Sequence, residues 1–467
     1  MSREASRAPT ASIIISAYNR ADVLRHAVKS VIRSTYADWE LLVVGDHCTD
    51  HSEKTVQSFA DPRITFQNLP QNSGGQWTPH NVGIAQARGR YVLFLNQDDM
   101  YCADHVARAV AHMEETGADI SWSPFMVLEH SGRSSGPPDA AHDRVLLQGV
   151  VHDGQYDARL FLVSSCWIVK REVCASVGPW KSADETFHSP SQEWLFRAWR
   201  AGSRFSFQPH PSVLCVHSGA KRLSYLRRSP EHDRAWTWIA DEEGASAALL
   251  RCISMNHALR AHQHTIQDGL LRALAEVVKS KANTIAQRFG VQPFVLRSWL
   301  TRQRKGDVVA RWRVHTMEAD RLAAGRLLQA GDAAGDGYFA DGWQERETSG
   351  RRTSGRSADI IFQIGPADTG HLLELTGHTL TRPGIAIFSV NGQARLEHRY
   401  TSGEETVRID LGILRGNVKV SVQVDDPTSP QRLNMTVDGQ ALGLWVSSIE
   451  LIPVPVATPA AGEEPRM

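Results

Sequence analysis

Short apolar runs alternate with helix-type patterns along the first part of the chain. Four runs fit buried strands: ASIIISAY (11–18), WELLVVG (39–45), RITFQ (63–67) and YVLFL (91–95). Segments with apolar residues every three or four positions, typical of amphipathic helices, cover 21–34, 52–59, 79–88 and 103–116. Strands that alternate with helices predict a parallel sheet with helices on both faces, and ligands bind such sheets at the carboxyl ends of the strands.

Two later regions have different periodicities. Residues 226–335 show a helical stripe and no strand-type run, whereas the chain beyond them returns to short alternating runs separated by Gly, Asn, Asp and Pro. We therefore predict an α/β domain over 1–225, a helical region over 226–335, an all-β sandwich over 336–456 and a disordered Pro/Ala-rich tail over 457–467.

Composition narrows the class of protein. The 467 residues are 42% hydrophobic and 22% charged with no formal net charge, so nothing indicates nucleic acid as a partner. The six cysteines form no C-x-x-C pair, which favours reduced thiols. No signal peptide and no run of roughly 20 apolar residues is present, so we expect a cytoplasmic protein with at most peripheral contact at the inner face of the membrane.

Polar loops follow three of the predicted strands. They are SAYNR (16–20), GDHCTD (45–50) and NQDD (96–99), and two of them are acidic. Carboxylates gathered at one edge of a parallel sheet suit a divalent cation, Mn²⁺ or Mg²⁺, that shares its oxygen ligands with the phosphates of a nucleotide diphosphate. Such a cation stabilises the diphosphate as a leaving group.

These motifs, in this order, resemble family 2 of the inverting nucleotide-sugar glycosyltransferases with the GT-A fold. The resemblance covers roughly residues 11–225 and rests on SAYNR, on ELLVVGDHCTD (40–50) and on NSGGQWTPHNVGIAQARGRYVLFLNQDD (72–99). It implies transfer of a sugar from a nucleotide diphosphate, with UDP the commonest nucleotide in the family. Asp98 would be the metal ligand, and Asp46 would contact the base. The other nucleotide-sugar contacts would come from Ala17, Tyr18, Arg20, Asn81, Gly83 and Asn96.

Two positions depart from the family pattern. Gly45 stands where the family usually has the first of two Asp residues, and Asn96 stands where the acidic motif usually opens with Asp. Asn can still hydrogen-bond a ribose hydroxyl but binds a cation less tightly than a carboxylate does. An alternative role for Asp98 and Asp99 is N-capping of the next helix, and Asp99 fits that alternative well.

Inverting transfer also needs a base for the acceptor hydroxyl. The family's usual base position falls on Ser191, which cannot serve unaided, and we predict the nearby carboxylate of Glu193 as the base. The alternative is a helix entry with Ser191 as N-cap and Glu193 in the first turn. Three further base candidates are Asp184, Glu185 and His188.

A second group of contacts follows the apolar run VLCV at 213–216. The resemblance implies His217 as a second metal ligand or diphosphate contact, with Lys221 and Arg222 gripping the diphosphate. The alternative for His217 is an ordinary core or surface histidine. Candidates for stacking on the sugar, if they do not pack in the core, are Trp77, Trp167, Trp180 and Trp194.

The sequence indicates less about the acceptor than about the donor. The helical region is rich in Lys and Arg, which indicates either a solvated face or contact with anionic lipid or a lipid-linked acceptor, and flotation with anionic vesicles tests that contact. GYFADGW (337–343) and GQALGLWVSSIEL (439–451) resemble carbohydrate-binding-module-like sandwiches, which implies a role in holding a glycan acceptor or in forming an oligomer. A packing domain without a ligand is the alternative.

Three functions remain open at this stage. The first is an inverting glycosyltransferase that acts on a glycan or lipid-linked acceptor in bacterial cell-surface polysaccharide biosynthesis. The second is a catalytically decayed carbohydrate- or nucleotide-binding scaffold, suggested by Gly45, Asn96 and Ser191. The third is a nucleotidyltransferase, although SAYNRAD lacks the Gly- and Arg/Lys-rich loop that would hold a triphosphate.

Overall fold

The structure is a computed structural model. It describes residues 7–130, 143–151, 154–186, 189–216, 223–240, 281–292, 295, 298–299, 303, 315–365, 369–379, 384–401, 403–425, 427 and 442–454. The chain divides into two compact units: the first comprises 1–220 and 229–311, and the second comprises 221–228 and 312–467.

The first unit contains eleven named strands and eight named helices in its described part. The strands are β1 (Ala11–Ala17), β2 (Trp39–Gly45), β3 (Ile64–Asn68), β4 (Tyr91–Asn96), β5 (Asp99–Tyr101), β6 (Ile120–Trp122), β7 (Phe125–His130), β8 (Asp143–Gln148), β9 (Trp167–Lys170), β10 (Phe205–Phe207) and β11 (Val213–Val216). The helices are α1 (Ala21–Ile32), α2 (Ser52–Gln57), α3 (Trp77–Gln86), α4 (His105–Thr116), α5 (Arg171–Val177), α6 (Ala183–Thr186), α7 (Pro190–Arg200) and α8 (Pro230–Ala240).

A seven-stranded sheet forms the centre of this unit, in the order β10-β6-β9-β4-β1-β2-β3. β1 pairs in parallel with β2 and β4, β2 pairs in parallel with β3, and β9 runs antiparallel to β4 and β6. Nearly every residue of β1, β2 and β4 is buried, which is expected of strands covered on both faces. The predicted α/β architecture with a mostly parallel sheet is therefore confirmed.

The sheet brings helix α3 very close to strand β1. A Cβ atom at Gly83 would lie 2.4 Å from Cγ2 of Ile14, so only glycine allows the two elements to approach this closely. The resemblance also places Gly83 near the nucleotide sugar, which stays a prediction. A second sheet has the order β5-β11-β7-β8. Its strand β5 begins shortly after β4 ends and pairs with β11.

Part of the predicted helical region is described. α8 lies within it, and residues 281–288 are helical, with Ile285 and Phe289 exposed. The described helices include none that is long and apolar enough to cross a membrane. The five cysteines in the described part are free thiols.

The second unit is built from antiparallel strands. They are β12 (Leu327–Gln329), β13 (Arg351–Ser354), β14 (Ser357–Ile364), β15 (Gly370–Thr379), β16 (Gly384–Val390), β17 (Gln393–Tyr400), β18 (Glu405–Gly412), β19 (Gly416–Val424) and β20 (Leu442–Val454). One sheet has the order β12-β20-β15-β18 with β13 also on β20, and the other has the order β14-β19-β16-β17. Both sheets bury alternate side chains in one core, for example Leu375 from β15 and Phe388 from β16, so the predicted all-β domain is confirmed.

Strand β12 was not expected, because it falls inside the region that shows no strand-type run. It is only three residues long and buries only Leu328, so its pattern is too short to be recognised. Pairing with β20 supplies its hydrogen bonds.

Candidate functional site

The loop after β1 has an unusual backbone. Asn19 and Arg20 both have left-handed conformations, with φ of 51° and 59°. Two consecutive non-glycine residues in this region cost roughly 1–2 kcal/mol each, so the surrounding contacts must hold them. The Asn19 side-chain oxygen accepts the Thr49 N–H at 2.8 Å, and the Tyr18 N–H donates to Oε1 of Gln97 at 2.9 Å. The loops after β1, β2 and β4 are thereby joined to one another.

Asp46 is buried and directly follows Gly45, the last residue of β2. Its backbone N–H donates to the carbonyl of Ala17 at 2.7 Å. Its carboxylate accepts the N–H groups of Ser73 at 2.8 Å and Gly74 at 3.1 Å. Asp46 therefore orders the glycine-containing loop before α3, and a carboxylate with four acceptor positions still has capacity for a ligand.

The presence of glycine at position 45 has a local structural explanation. A Cβ atom there would lie 2.6 Å from Oδ1 of Asn68 and 3.0 Å from Sγ of Cys48. Asn68 uses that same oxygen to accept the Cys48 N–H at 2.8 Å, and its amide donates to the Cys48 carbonyl at 2.8 Å. The departure from the family pattern thus makes room for a hydrogen-bonded loop that no local sequence pattern indicates.

The thiol of Cys48 is part of the same loop. Its sulfur accepts the Asn19 N–H at 3.3 Å, and burial raises the pKa of Cys48 to about 11. The group therefore stays a neutral thiol and contributes hydrogen bonds instead of nucleophilic chemistry.

Asn96 and Asp99 hold each other at the end of β4. The amide of Asn96 donates to Oδ2 of Asp99 at 2.8 Å, and its oxygen accepts the Ser164 hydroxyl at 2.8 Å. The same Asp99 oxygen accepts the Ser165 hydroxyl at 2.6 Å. Burial, together with the charge of Asp98, raises the pKa of Asp99 to about 7. The contacts of Asn96 in this structure are therefore internal.

The helix-cap alternative for Asp99 is wrong. Asp99 begins strand β5 and pairs with Cys215 of β11, and the residue that precedes α4 is Asp104. The sequence suggested a cap because an acidic residue stood shortly before a helical pattern, but the short strand lies between them.

Asp98 remains as the partly exposed carboxylate of this turn, with 25% of its side chain accessible. Oδ2 lies 3.6 Å from Nη1 of Arg20, whose side chain is 1% exposed. Arg20 was expected to line the nucleotide pocket, and the structure directs its guanidinium to the candidate metal ligand. The Asp98 carbonyl accepts a hydrogen bond from Nε2 of His232 at 2.9 Å.

The fit to a divalent cation depends on how many ligands the protein supplies. Among the residues that the structure describes, no group of three or more His, Cys, Asp or Glu side chains could hold a metal ion. One accessible carboxylate fits a Mg²⁺ or Mn²⁺ ion that takes its other oxygens from substrate phosphates and water. The expected contacts His217, Lys221 and Arg222 lie outside the described residues.

Asn81 uses its whole side-chain amide on one neighbour. Nδ2 donates to the carbonyl of Trp180 at 2.9 Å, and Oδ1 accepts the Trp180 N–H at 2.8 Å. The indoles of Trp167, Trp180 and Trp194 are buried and stack on one another. Of the four tryptophans considered for sugar stacking, these three therefore pack in the core.

Glu193 stands in the first turn of α7. Its two carboxylate oxygens accept from Nε of Arg197 at 2.9 and 3.0 Å, and Nζ of Lys181 lies 3.6 Å away. The guanidinium of Arg197 also donates to the carbonyls of Val177 and Pro179. Glu193 thus helps to fix the segment before Trp180, besides lining a cavity of about 580 Å³ with Lys181 and Arg197.

The entry of α7 differs from the expected one. Ser189 precedes the helix and Pro190 is its first residue, so Ser191 lies within the helix and is buried. Its hydroxyl is 2.8 Å from the hydroxyl of Ser189. Of the other base candidates, Asp184 and Glu185 lie on α6, and His188 is outside the described residues.

A mostly parallel sheet with polar loops joined at the carboxyl ends of its strands defines an α/β domain of the GT-A type. Residues 12–178 match the family model described as Glycosyl transferase family 2.

Named relatives match over a similar stretch. The succinoglycan biosynthesis protein ExoO of Rhizobium meliloti is 30% identical over 128 residues, 27% of this chain and 36% of the relative. The UDP-Glc:alpha-D-GlcNAc-diphosphoundecaprenol beta-1,3-glucosyltransferase WfgD of Escherichia coli is 26% identical over 138 residues, 29% of this chain and 54% of the relative. The chain thus spans about half, or less, of the length of these relatives. Among solved structures, a fragment of S. aureus TarS in complex with UDP-GlcNAc is 17% identical, covers 65% of this chain and 90% of the fragment, and has a TM-score of 0.40.

Proposed function

We propose that this protein is an inverting glycosyltransferase that moves a sugar from a nucleotide diphosphate, UDP in the first instance, to a hydroxyl of a glycan or lipid-linked acceptor. The match to the family 2 model over residues 12–178 supports the transfer reaction. The name of WfgD, a UDP-Glc-dependent glucosyltransferase, supports UDP as the nucleotide, and the name of ExoO, a succinoglycan biosynthesis protein, supports a polysaccharide as the product.

The observation that carries the proposal is the partly exposed Asp98 carboxylate at the junction of three strand-end loops. A divalent cation bound there would offset the charge of the departing nucleoside diphosphate. The protein's part is to hold Asp98 in place: Arg20 pairs with its carboxylate, and His232 donates to its backbone carbonyl. His217 would complete the ligand set.

The other proposed roles divide into two kinds. Ala17, Tyr18 and Asp46 lie at the ends of β1 and β2, where the base and ribose would bind, and Lys221 and Arg222 would contact the diphosphate. The side-chain amides of Asn81 and Asn96 hydrogen-bond Trp180 and Asp99, so their proposed role is to position protein groups. Glu193 is the proposed base, and it would have to release Arg197 in part to accept a proton.

Donor hydrolysis tests the proposal. Purified protein is incubated with a panel of nucleotide sugars, with Mn²⁺ or with chelator, and the released nucleotide is identified. We expect nucleoside diphosphate, released only with the cation, and a loss of about 100-fold or more for Asp98→Asn. Asp104→Asn serves as a matched control, since it removes a partly exposed carboxylate that pairs with Arg108 on α4.

Each alternative function gives its own result. Pyrophosphate as the product would indicate nucleotidyl transfer. No turnover of any donor, together with tight nucleotide binding, would indicate a binding scaffold. Turnover by Asp98→Asn at the unmodified rate would overturn the proposed role of Asp98.

A further inference from the structure

A buried histidine from a distant helix contacts the candidate metal ligand. His232 lies in the first turn of α8, outside the stretch that matches the family model, and is fully buried. Its Nε2 atom is 2.9 Å from the carbonyl oxygen of Asp98. A carbonyl oxygen only accepts hydrogen bonds, so Nε2 carries the proton and donates.

The ring of His232 is itself held from its other side. Nδ1 lies 2.9 Å from the hydroxyl of Ser229, the residue before α8. The backbone N–H of Ser229 donates to Oδ2 of Asp22, in the first turn of α1, at 2.8 Å. The same Ser229 hydroxyl lies 2.8 Å from a carboxylate oxygen of Glu231, and its single proton can be donated to only one of these two neighbours. Contacts from Asp22 through Ser229 and His232 to Asp98 hold the ring in place.

The neighbours of Asp98 in its turn are fixed as well. Gln97 accepts the Tyr18 N–H through its side chain, and Asp99 accepts the Ser165 hydroxyl. These contacts hold the residues on either side of Asp98, while His232 holds the peptide oxygen of Asp98 itself. The hydrogen bond to the Asp98 carbonyl fixes the peptide plane between residues 98 and 99. Together with the contacts on either side, it restrains the backbone that carries the Asp98 side chain.

We propose that His232 is a positioning residue that aims the Asp98 carboxylate at the divalent cation and the nucleotide diphosphate. It acts through the Asp98 carbonyl and needs no contact with the ligand. The inference rests on the proposed function, because it assumes that Asp98 binds the cation. Partners of this kind outside the ligand set typically change metal affinity about 10- to 100-fold when they are removed.

The experiment measures Mn²⁺ binding in the presence of saturating UDP, by electron paramagnetic resonance or calorimetry, so that its readout is independent of turnover. Three variants are compared with the unmodified protein: His232→Leu, which removes the donor; His232→Gln, which keeps an N–H; and His26→Leu as a matched control. His26 is also buried and also contacts α8, but through Asp233.

We expect His232→Leu to weaken Mn²⁺ binding about 10-fold or more, His232→Gln to recover part of that loss, and His26→Leu to bind within about twofold of the unmodified protein. Circular dichroism and the melting temperature show whether each variant is folded. Should His232→Leu fail to fold, His232→Gln and His232→Asn are compared instead, and we expect each to bind Mn²⁺ more weakly than the unmodified protein.

Two results would overturn this inference and leave the proposed function standing. The first is Mn²⁺ binding by folded His232 variants that equals that of the unmodified protein. The second is a loss of Mn²⁺ affinity in His26→Leu equal to that in His232→Leu, which would show that docking of α8 matters and the hydrogen bond does not. A different result overturns the proposed function. If the unmodified protein binds no Mn²⁺ with UDP, or if Asp98→Asn binds it normally, Asp98 is not the cation ligand.

Discussion

The guanidinium of Arg20 lies 3.6 Å from the carboxylate of Asp98, and the two side chains are 1% and 25% exposed. Arg20 reaches this position because it and Asn19 take left-handed backbone conformations directly after β1. A buried cation is costly unless it is paired, so this contact couples the conformation of the first loop to the candidate metal ligand.

The Arg20–Asp98 pair should show a measurable coupling energy. Arg20→Gln, Asp98→Asn and the double variant form a cycle whose free energies of unfolding are measured with urea. We expect a coupling of about 1–3 kcal/mol, above the range of about 0.2–1 kcal/mol that is usual for exposed pairs.

Arg63 and Asp61 form an ion pair next to β3, with side chains that are 38% and 15% exposed, and provide the comparison cycle. We expect a smaller coupling there. A coupling at Arg20–Asp98 below about 0.5 kcal/mol would contradict the importance given to the pair.

Glu193 has two roles that can be separated by experiment. As the base it should lose about 100-fold or more in turnover when changed to Gln, while donor binding stays intact. As the partner of Arg197 it should instead share its effect with Arg197→Gln, because both changes release the carbonyls of Val177 and Pro179. Steady-state turnover, donor affinity and the melting temperature are measured on both variants.

Glu185→Gln, on the exposed side of α6, is the control for these variants. Normal turnover by a stably folded Glu193→Gln protein would rule out Glu193 as the base. Loss of turnover in Glu185→Gln would move the base to α6.

His80 should make the protein less stable in mild acid. It is fully buried between Phe94 and Trp180, and burial lowers the pKa of His80 to about 3. Between that value and the ordinary value near 6.5, the unfolded chain binds a proton that the folded protein does not, so stability falls as the pH falls through this window. The contribution at pH 5 is about 2 kcal/mol.

The measurement is the free energy of unfolding of the unmodified protein and of His80→Phe at pH 7 and pH 5. We expect His80→Phe to lose about 2 kcal/mol less between the two pH values. His51→Gln, at an exposed position before α2, should leave the difference unchanged. An identical pH dependence in His80→Phe would show that His80 is not the group responsible.

Much of the fold could be predicted from local pattern. The apolar runs that became β1, β2 and β4 are nearly continuous because both faces of those strands are buried. The alternating runs of the second unit became strands such as β15 and β16, which bury every other side chain. β12 escaped notice, since three residues carry too little periodicity.

The site was predicted less completely, and the misses have one cause. The acidic motif after β4 pointed to Asp98 and Asp99 alike, but Asp99 is buried against Asn96 and Ser165, and only Asp98 keeps an accessible carboxylate. A sequence shows that two carboxylates are adjacent without showing which of them is covered, because one of the covering groups, Ser165, comes from a segment 66 residues further along.

The sequence alone determined the longer strands and helices, and the strand ends at which polar residues collect, because these depend on the periodicity of neighbouring residues. Only the tertiary structure decided what the polar residues do there. Arg20 turns to Asp98 because of a left-handed backbone, and His232 reaches Asp98 from 134 residues away. Contacts between residues so far apart are set by how the helices and strands pack, and no local pattern records them.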